Sequence, residues 1–547
     1  MLGKLLRVRA RCHAGGYPQN CTPGGHPARH GGADGTLCRS DRQPGCRSGP
    51  GGGVNALLAS LRERAQRDPE AIVLTGSTVT YTAAALQGEV QGLANLFREQ
   101  EVQRLALHAD NSPGWIIIDL AAQLAGVVLV PVPTFFTADQ VRWLLDAAGV
   151  DAVASTSEAV LVAAFCTESR VTLLDGLSMA FRPAVAATPL PERTAKITFT
   201  SGSTGQPKGV CLSTEQCLVV ARSLLQRTAL TKVRHLALLP LPTLLENIAG
   251  VYLPLLAGGQ VCVPGSADTG LAGSSGLDAQ RFLALLARER PESLILVPEL
   301  LRVLVGATAA GWVAPDSLRF VAVGGARVAP ALVSRARAAG LPVYEGYGLS
   351  ECASVVALNG PGNDRPGTCG QVLPHLVVHV NDGELQIEGN AFLGYLGDPE
   401  SWYPERVASG DLGRLEEGFL VVAGRRKHLL ITAYGRNVSP EWVESELLAS
   451  GALLQAVVLG DARASCCALL YPRDAAMSDA NLQALVDAAN ERLPDYARIG
   501  AWQRLSAPLS ARDGLLTPNG KPRRQVIAAR FQGAIDSLYQ PEELPQL

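Results

Sequence analysis

The chain has 547 residues, of which 47% are apolar and 18% charged, so it can bury a large core and form two or more domains. The formal net charge is −2, and no dense Lys/Arg stripe with interleaved aromatic residues occurs, which argues against a nucleic-acid partner. The sequence contains no uninterrupted run of about 18 apolar residues, which argues against a transmembrane segment. Peripheral attachment to a membrane stays open.

The first 53 residues differ in composition from the rest of the chain. They contain 13 glycines, five prolines, eight Lys/Arg residues and two acidic residues, without the apolar segment of a secretory signal. We therefore expect residues 1–53 to form a disordered tail. We also hypothesise that this tail is a start-site artefact of the gene model and that the functional chain begins near Val54.

Twelve cysteines occur, none of them in a CxxC pair. We interpret them as free thiols in a reducing cytosol, which predicts a cytoplasmic protein. A zinc site in the tail is the alternative, although its spacings are not those of short zinc knuckles. Its ligands would come from Cys12, His13, Cys21, Cys38 and Cys46.

From Val54 onward, short apolar segments alternate with segments of helical periodicity, as in "VNALLASLRERAQ" at 54–66. This alternation predicts parallel sheets covered by helices. From about residue 424 the pattern changes to a smaller α+β unit. Residues 115–132 are predicted to form a buried helix that runs into a buried strand. Further strands are predicted in 71–76, 78–83, 151–156, 170–176, 195–201, 235–242, 258–265, 293–300, 318–325, 341–348, 453–460 and 466–472, and further helices in 439–450 and 479–493.

A polar loop follows the strand at 195–201, with the sequence "TFTSGSTGQPKGV" from Thr198 to Val210. Its glycines allow backbone N–H groups to point inward at an anion, its hydroxyls add donors, and Lys208 adds a positive charge. The segment is neither a Walker A motif nor GxGxxG. It therefore indicates a phosphate-binding loop of another kind, with a flexible linker as the alternative.

This loop and four later segments resemble, in order, the motifs of the adenylate-forming superfamily of acyl-CoA synthetases, peptide-synthetase adenylation domains and luciferases. The resemblance spans roughly residues 54–530. It implies a large α/β N-terminal domain over 54–423 with sheets covered by helices, a hinge at 424–427 and a small mobile α+β lid over 428–547. The four later segments are "YEGYGLSE" (344–351), "SGDLGRL" (409–415), "GRRKHLLITAYGRNVSPEWVE" (424–444) and "LTPNGKPRR" (516–524).

The resemblance also implies the reaction: a carboxylate attacks ATP to give an acyl adenylate, and a thiol, usually that of coenzyme A, then displaces AMP. It assigns Lys521, Ser350 and Glu351 to catalysis, with Glu351 as the Mg²⁺ ligand, Ser350 at the α-phosphate and Lys521 between the attacking carboxylate and the ribose side. The residues it implies for ATP and AMP are Thr200, Ser201, Gly202, Ser203, Thr204, Gly205, Lys208, Gly324, Gly325, Ala326, Tyr347, Gly348, Asp411 and Arg425.

Within that set, Tyr347 would lie against the adenine, Asp411 would accept from both ribose hydroxyls, and Arg425 would contact ribose and phosphate. Lys427 matches the hinge position, and rotation about it would bring Tyr434 and Gly435 to a coenzyme A tunnel.

The segment from Leu239 resembles the lining of the acyl pocket, with Thr243, Leu244 and Asn247 as candidate residues. Its Leu- and Val-rich composition suits a hydrophobic tail, which favours a medium- to long-chain fatty acid. Two alternatives remain from the sequence: an acyl carrier protein as acceptor in trans, and a non-catalytic binding protein of the same fold.

Overall fold

The computed structural model describes residues 55–164, 170–182, 188–200, 207–272, 276–434, 436–517 and 519–539. The chain divides into two units, Met1–Gly53 and Val54–Leu547, and every described residue belongs to the second. The predicted tail and the alternative zinc ligands fall outside the described residues.

Helices flank the sheets of the second unit, as the alternating pattern predicts. Most are α-helices, with one π-helical segment, Glu246–Tyr252, and several short 3₁₀ turns. The α-helices are Ala56–Arg67, Ala83–Glu99, Pro113–Ala125, Ala138–Ala147, Glu158–Ala163, Thr214–Thr228, Leu253–Leu256, Ser266–Thr269, Ala279–Glu289, Pro298–Ala309, Pro330–Ala338, Pro440–Leu448, Asp479–Asn490, Arg524–Arg530 and Gln532–Leu538, and the 3₁₀ turns are Ser350–Cys352, Pro399–Ser401, Arg426–His428 and Asp495–Ala497.

Two large sheets form the framework of the N-terminal part. In order across the first, the eight strands are Gly394–Tyr395, Lys208–Leu212, Lys196–Thr200, Val128–Pro131, Arg104–His108, Ala152–Ser155, Ser178–Phe181 and Arg170–Thr172. In order across the second, the thirteen strands are Val377–Asn381, Glu384–Glu388, Arg406–Glu416, Phe419–Arg425, Gln371–Val372, Ser354–Leu358, Val343–Leu349, Phe320–Val323, Ser293–Leu296, Arg234–Leu236, Gln260–Cys262, Ile72–Thr75 and Thr80–Thr82.

In the described residues, the C-terminal part has a small sheet of its own together with four α-helices, of which the sequence pattern predicts two, Pro440–Leu448 and Asp479–Asn490. Its strands are Leu453–Leu459, Cys466–Pro472 and Ile499–Arg504, the first pair antiparallel and the second parallel. Two further two-stranded sheets join Leu271–Ala272 to Gly276–Leu277 and Leu430–Ile431 to Asn437–Val438. The architecture is therefore a mixed α/β fold with a large N-terminal and a small C-terminal part, which confirms the predicted fold class.

Helix Pro113–Ala125 illustrates how local sequence sets an element. The side chain of Ser112 accepts a hydrogen bond from the Trp115 N–H, proline occupies the first turn, and Gly126 ends the helix at φ 76°. Residues 113–122 are all buried, so the helix lies between other elements on every side, as its continuous apolar sequence predicts.

The prediction of parallel sheets is wrong for several strand pairs, which include Lys196–Thr200 with Lys208–Leu212, Ala152–Ser155 with Ser178–Phe181, and all the pairs formed within residues 343–425. There the strands pair antiparallel, because tight hairpins and short loops connect them instead of crossover helices. Strands Val377–Asn381 and Glu384–Glu388 are joined by Asp382 and Gly383, both with positive φ, as in a two-residue hairpin.

No helix of the described residues is long and apolar enough to cross a membrane. The described cysteines are free, as predicted, and no group of three or more potential metal-ligating His, Cys, Asp or Glu residues occurs in the described ranges.

Candidate active site

A cavity of about 590 Å³ opens where the strands of the large sheet end. Strand Phe320–Val323 runs into Gly324 and Gly325, and the neighbouring strand Val343–Leu349 carries Tyr347. These residues line the cavity together with Gly348, Ser350 and Lys521. The structure thus brings together candidates that are almost 200 positions apart in the sequence.

Gly348 is fixed by close packing of the backbone. A Cβ atom at this position would lie 1.7 Å from the carbonyl oxygen of Ser354 on the antiparallel neighbour strand. Only glycine fits there, because any side chain would collide with the backbone of the paired strand. Ala326, in contrast, is exposed and does not line the cavity.

Three candidate residues form a hydrogen-bonded group that begins at Tyr347 in the cavity wall. The Tyr347 hydroxyl donates to Asp411 Oδ2 over 2.6 Å, and Arg425 Nε donates to Asp411 Oδ1 over 2.8 Å. Asp411 is only 4% exposed, and its backbone N–H donates to Ser409 Oγ. Burial, and then the neighbouring Asp411, raise the pKa of Tyr347 well above its ordinary value. The phenol therefore stays neutral and holds the carboxylate in one orientation.

Lys521 reaches the same cavity from the C-terminal part, where a tight loop presents it. The backbone N–H of Thr517 donates to the Lys521 carbonyl over 2.8 Å, and the Lys521 N–H donates to Thr517 Oγ1 over 3.1 Å. Although the side chain is exposed to the cavity, desolvation by the surrounding cleft lowers the pKa of its ammonium. Arg425 lowers this pKa further, whereas Asp411 and Glu441 raise it. Among the described residues it forms no ion pair, so its charge is available to an anion in the cavity.

Glu351 and Lys208 lie on either side of Tyr395, a residue that the sequence did not single out. The Tyr395 hydroxyl donates to Glu351 Oε1 over 3.0 Å, and the Lys208 ammonium lies 4.7 Å from the centre of the Tyr395 ring. Lys208 and Tyr395 also line a second cavity of about 360 Å³. Strands Lys196–Thr200 and Lys208–Leu212 pair antiparallel, with Thr200 opposite Lys208. These two residues therefore lie at the two ends of the predicted phosphate loop.

The remainder of the predicted phosphate loop, Ser201, Gly202, Ser203, Thr204 and Gly205, lies outside the described residues, as does Gly435 of the predicted coenzyme A tunnel. Lys427 lies in the 3₁₀ turn Arg426–His428, at the predicted hinge. Tyr434 is 78% exposed and does not line the cavity.

Of the three acyl-pocket candidates, Thr243 and Leu244 line the cavity and Asn247 does not. Asn247 is instead buried beside helix Pro113–Ala125, where its Nδ2 donates to Asp119 Oδ2 over 2.9 Å and its Oδ1 accepts from Lys196. The π-helical segment Glu246–Tyr252 has a different residue period from an α-helix, and a sequence pattern cannot reveal this in advance.

The cavity also has lining residues that the sequence did not reveal. Asn519 lies beside Lys521, and its motif context could have identified it. His235 and Ser293 line the cavity at the opposite end of the same strands, and no motif marks them. Their place follows only from the sheet register.

The chain matches known families and structures over most of its length. A profile described as AMP-binding enzyme matches residues 61–396, and one described as AMP-binding enzyme C-terminal domain matches residues 427–543. The long-chain-fatty-acid–CoA ligase FadD15 of Mycobacterium bovis is 27% identical, over 89% of this chain and 97% of that protein.

Two solved structures are similar in fold at low sequence identity. The anthranilate CoA ligase AuaEII in complex with anthranoyl-AMP has a TM-score of 0.74 at 18% identity, covering 88% of this chain and 98% of its own. The o-succinylbenzoate coenzyme A synthetase MenE of Bacillus subtilis, in complex with ATP and magnesium ion, has a TM-score of 0.66 at 22% identity, covering 85% of this chain and 98% of its own.

Enzymes of the matched family use ATP with Mg²⁺. Because the family match covers more than half of the chain, the chain belongs to the AMP-binding enzyme family, and it is an adenylate-forming acyl-CoA ligase.

Proposed function

We propose that this enzyme activates a medium- to long-chain fatty acid with ATP and transfers the acyl group from the adenylate to coenzyme A. The observation that carries the proposal is the continuity of the cavity. It runs from Lys521 and Tyr347 to a largely apolar interior. The similarity to a long-chain-fatty-acid–CoA ligase supports the same substrate class.

The apolar part of the cavity suits an alkyl chain. Its walls include Leu224 and Leu253 from helices, Leu230 from the loop after helix Thr214–Thr228, and Ile295 and Leu358 from the large sheet. Burying a chain of methylene groups against such walls is favourable by about 0.8 kcal/mol for each CH₂. The carboxylate end would remain at Lys521, where the cavity opens.

Lys521, Asp411 and Tyr347 would act on the first half-reaction mainly through position and charge. An ammonium between the carboxylate and the α-phosphate offsets the repulsion between two anions, and the absence of an ion pair to Lys521 among the described residues fits that role. The two carboxylate oxygens of Asp411, oriented by Tyr347, would accept from the ribose hydroxyls.

The residues present suit a Mg²⁺ ion near the phosphates. The Glu351 carboxylate is a hard oxygen donor of the type that Mg²⁺ prefers, and Thr200 and Ser350 carry hydroxyl oxygens at the carboxyl ends of strands Lys196–Thr200 and Val343–Leu349. When bound, the ion would neutralise charge on the phosphate oxygens. Glu351 would hold it, with Tyr395 fixing the carboxylate from the side.

The second half-reaction is proposed to follow rotation of residues 428–547 about Lys427. Lys521 would then leave the cavity, and Tyr434 and Gly435 would come to the entrance for coenzyme A. An acyl carrier protein remains the alternative acceptor, and the experiment below separates the two.

Pyrophosphate release and AMP formation should be measured with ATP and Mg²⁺ over acetate, benzoate, octanoate, dodecanoate and palmitate, each with and without coenzyme A. We expect dodecanoate or palmitate to give the highest kcat/KM, with multiple turnovers only when coenzyme A is present. Preference for benzoate or acetate would contradict the fatty-acid assignment. A single burst of pyrophosphate that coenzyme A does not accelerate would indicate a carrier protein as acceptor.

A further inference from the structure

One wall of the acyl cavity is formed by neighbouring parallel strands. The register of these strands places cavity-lining residues at two depths along the wall, called here the two levels. Gly324 lies at the adenylate end of this wall, and Phe320 lies four residues earlier on the same face. Ser293 pairs with Phe320, and His235 pairs with Ser293, so these three residues form one row across the sheet. At the usual rise of a strand, this row is about 13 Å from Gly324.

On this strand wall, the residues that line the cavity between the two levels are apolar. Ile295 pairs with Ala322 midway between the levels, and Leu245 and Ala249 of the opposite helical segment also line the cavity. An alkyl chain that extends from the adenylate end therefore meets apolar contacts first and the polar row afterwards.

His235 and Ser293 form a polar ledge at this inner level. His235 Nδ1 lies 2.8 Å from Ser293 Oγ, and His235 Nε2 lies 2.9 Å from Glu246 Oε1. The two ledge residues are 2% and 3% exposed, and both line the cavity. A polar pair in this position is unusual for a cavity that binds only hydrocarbon.

The partners of Glu246 determine the direction of the hydrogen bonds. Its Oε2 accepts from the Leu239 backbone N–H over 3.1 Å, and its Oε1 faces His235. A carboxylate that accepts on both oxygens requires the proton on His235 Nε2. In the neutral imidazole with this proton, Nδ1 is the acceptor and the Ser293 hydroxyl donates to it. Burial raises the pKa of Glu246, and the hydrogen bonds from His235 and Leu239 lower it.

Ser293 is consequently an acceptor toward the cavity. A serine hydroxyl has one proton to donate and two lone pairs. The proton is directed to His235, and Ser293 Oγ accepts no hydrogen bond among the described residues. A ligand group that donates a hydrogen bond would satisfy it.

We propose that the polar ledge of His235 and Ser293 selects an acyl chain that carries a hydroxyl group at or near its end, with the hydroxyl donating to Ser293 Oγ. This inference rests on the proposed function and narrows its substrate class to hydroxylated medium-chain fatty acids. His235 and Glu246 act as positioning residues, because they hold the Ser293 proton away from the cavity.

The test compares kcat/KM for AMP formation, at saturating ATP and coenzyme A, with dodecanoate, ω-hydroxydodecanoate and the same chain ending in a methyl ketone. We expect the hydroxy acid to be preferred over dodecanoate by about tenfold, the effect of one buried hydrogen bond. The ketone should show no such preference, because it has no proton to donate.

Ser293→Ala removes the acceptor and should reduce the preference for the hydroxy acid to near unity. Ser223→Ala is a matched control, because Ser223 Oγ also pairs with a histidine, His375 Nδ1 at 2.7 Å, but does not line the cavity. This control should keep the preference, whereas a general loss of stability would affect both variants alike.

The outcomes separate the two proposals. Turnover of dodecanoate and its hydroxy acid at equal kcat/KM, unchanged by Ser293→Ala, would refute the ledge and leave the fatty-acid activity intact. Preference for the ketone would refute the assigned direction of the hydrogen bonds. If none of the three acids gives AMP while another acid does, the proposed substrate class fails, and the ledge inference fails with it.

Discussion

Replacement of Lys521 by alanine should slow the first half-reaction selectively. In the structure Lys521 lines the cavity, and its side chain forms no ion pair with a described residue. Its proposed role is to offset the repulsion between the fatty-acid carboxylate and the α-phosphate of ATP. The second half-reaction starts from an adenylate that already exists and does not need that charge.

The size of the effect follows from the local environment. Two unit charges about 4 Å apart interact by about 1 kcal/mol in water and by about 4 kcal/mol at the effective dielectric of a site near a protein surface. Because the cleft lowers the pKa of Lys521 by desolvation, the larger value applies. A loss of about 4 kcal/mol corresponds to adenylation about a thousandfold slower.

The assay measures the two half-reactions separately: pyrophosphate release in a single turnover with ATP, and coenzyme A-dependent consumption of a synthetic acyl adenylate. Lys521→Ala should fail in the first and retain most of its rate in the second. Arg530→Ala is the matched control, since it removes one positive charge from an exposed helix position in the same C-terminal part. Equal loss in both half-reactions, or no loss in the first, would refute the reasoning.

Two further substitutions test the nucleotide and metal contacts. Tyr347→Phe removes the 2.6 Å hydrogen bond to Asp411 and should raise the KM for ATP about tenfold with a smaller change in kcat, as one hydrogen bond to a charged group implies; an unchanged KM would contradict the role of Tyr347 in orienting the carboxylate. Glu351→Gln should raise the Mg²⁺ concentration for half-maximal rate by about tenfold or more, which is the effect of removing even an outer-sphere partner. This increase is measured by titrating Mg²⁺ in the pyrophosphate assay. A higher KM for ATP with an unchanged Mg²⁺ requirement would contradict a metal role for Glu351.

The strands and helices were predictable where the signal is local. Segments such as Lys196–Thr200 and Pro113–Ala125 appear where the apolar pattern places them, because periodicity depends only on near neighbours. Strand direction in 343–425 was predicted wrongly, although a signal was present. The pairs Asp382-Gly383 and Glu417-Gly418 both adopt positive φ between paired strands, and Asp-Gly is a strong hairpin signal.

The residues of the candidate site also differ in whether a local sequence signal identifies them. Residues within recognisable motifs, such as Lys521 and Tyr347, could be chosen from the sequence, and the structure brings these two to one cavity. Tyr395 and the polar ledge could not be chosen, since their positions depend on which strands pair and in what register. Asn247 was misplaced because the π-helical segment that carries it turns its side chain toward Asp119 and away from the cavity.

Two polar contacts between the C-terminal part and the large sheet domain are of a kind that exchanges readily, beside the buried packing of Ala449 and the contact of Arg327 with the Trp442 ring. Arg473 pairs with Glu299 over 2.6 Å, with the two side chains 43% and 36% exposed. Arg335 donates to the backbone carbonyl of Ala449. An exposed ion pair of this type contributes about 0.2–1 kcal/mol to stability. The sum of a few such contacts is small beside the binding energy available from ATP or coenzyme A.

That weakness is what the two half-reactions would require. Lys521 now lines the cavity, whereas Tyr434 of the same C-terminal part is 78% exposed and outside it. The proposed roles of the two residues demand opposite faces of this part at the cavity, so both roles can hold only if it rotates between the steps. Lys427 lies in a short 3₁₀ turn between Arg425, which contacts Asp411, and the first strand of the C-terminal part. A rotation there would leave the ribose contacts of the large domain in place while Lys521 is withdrawn.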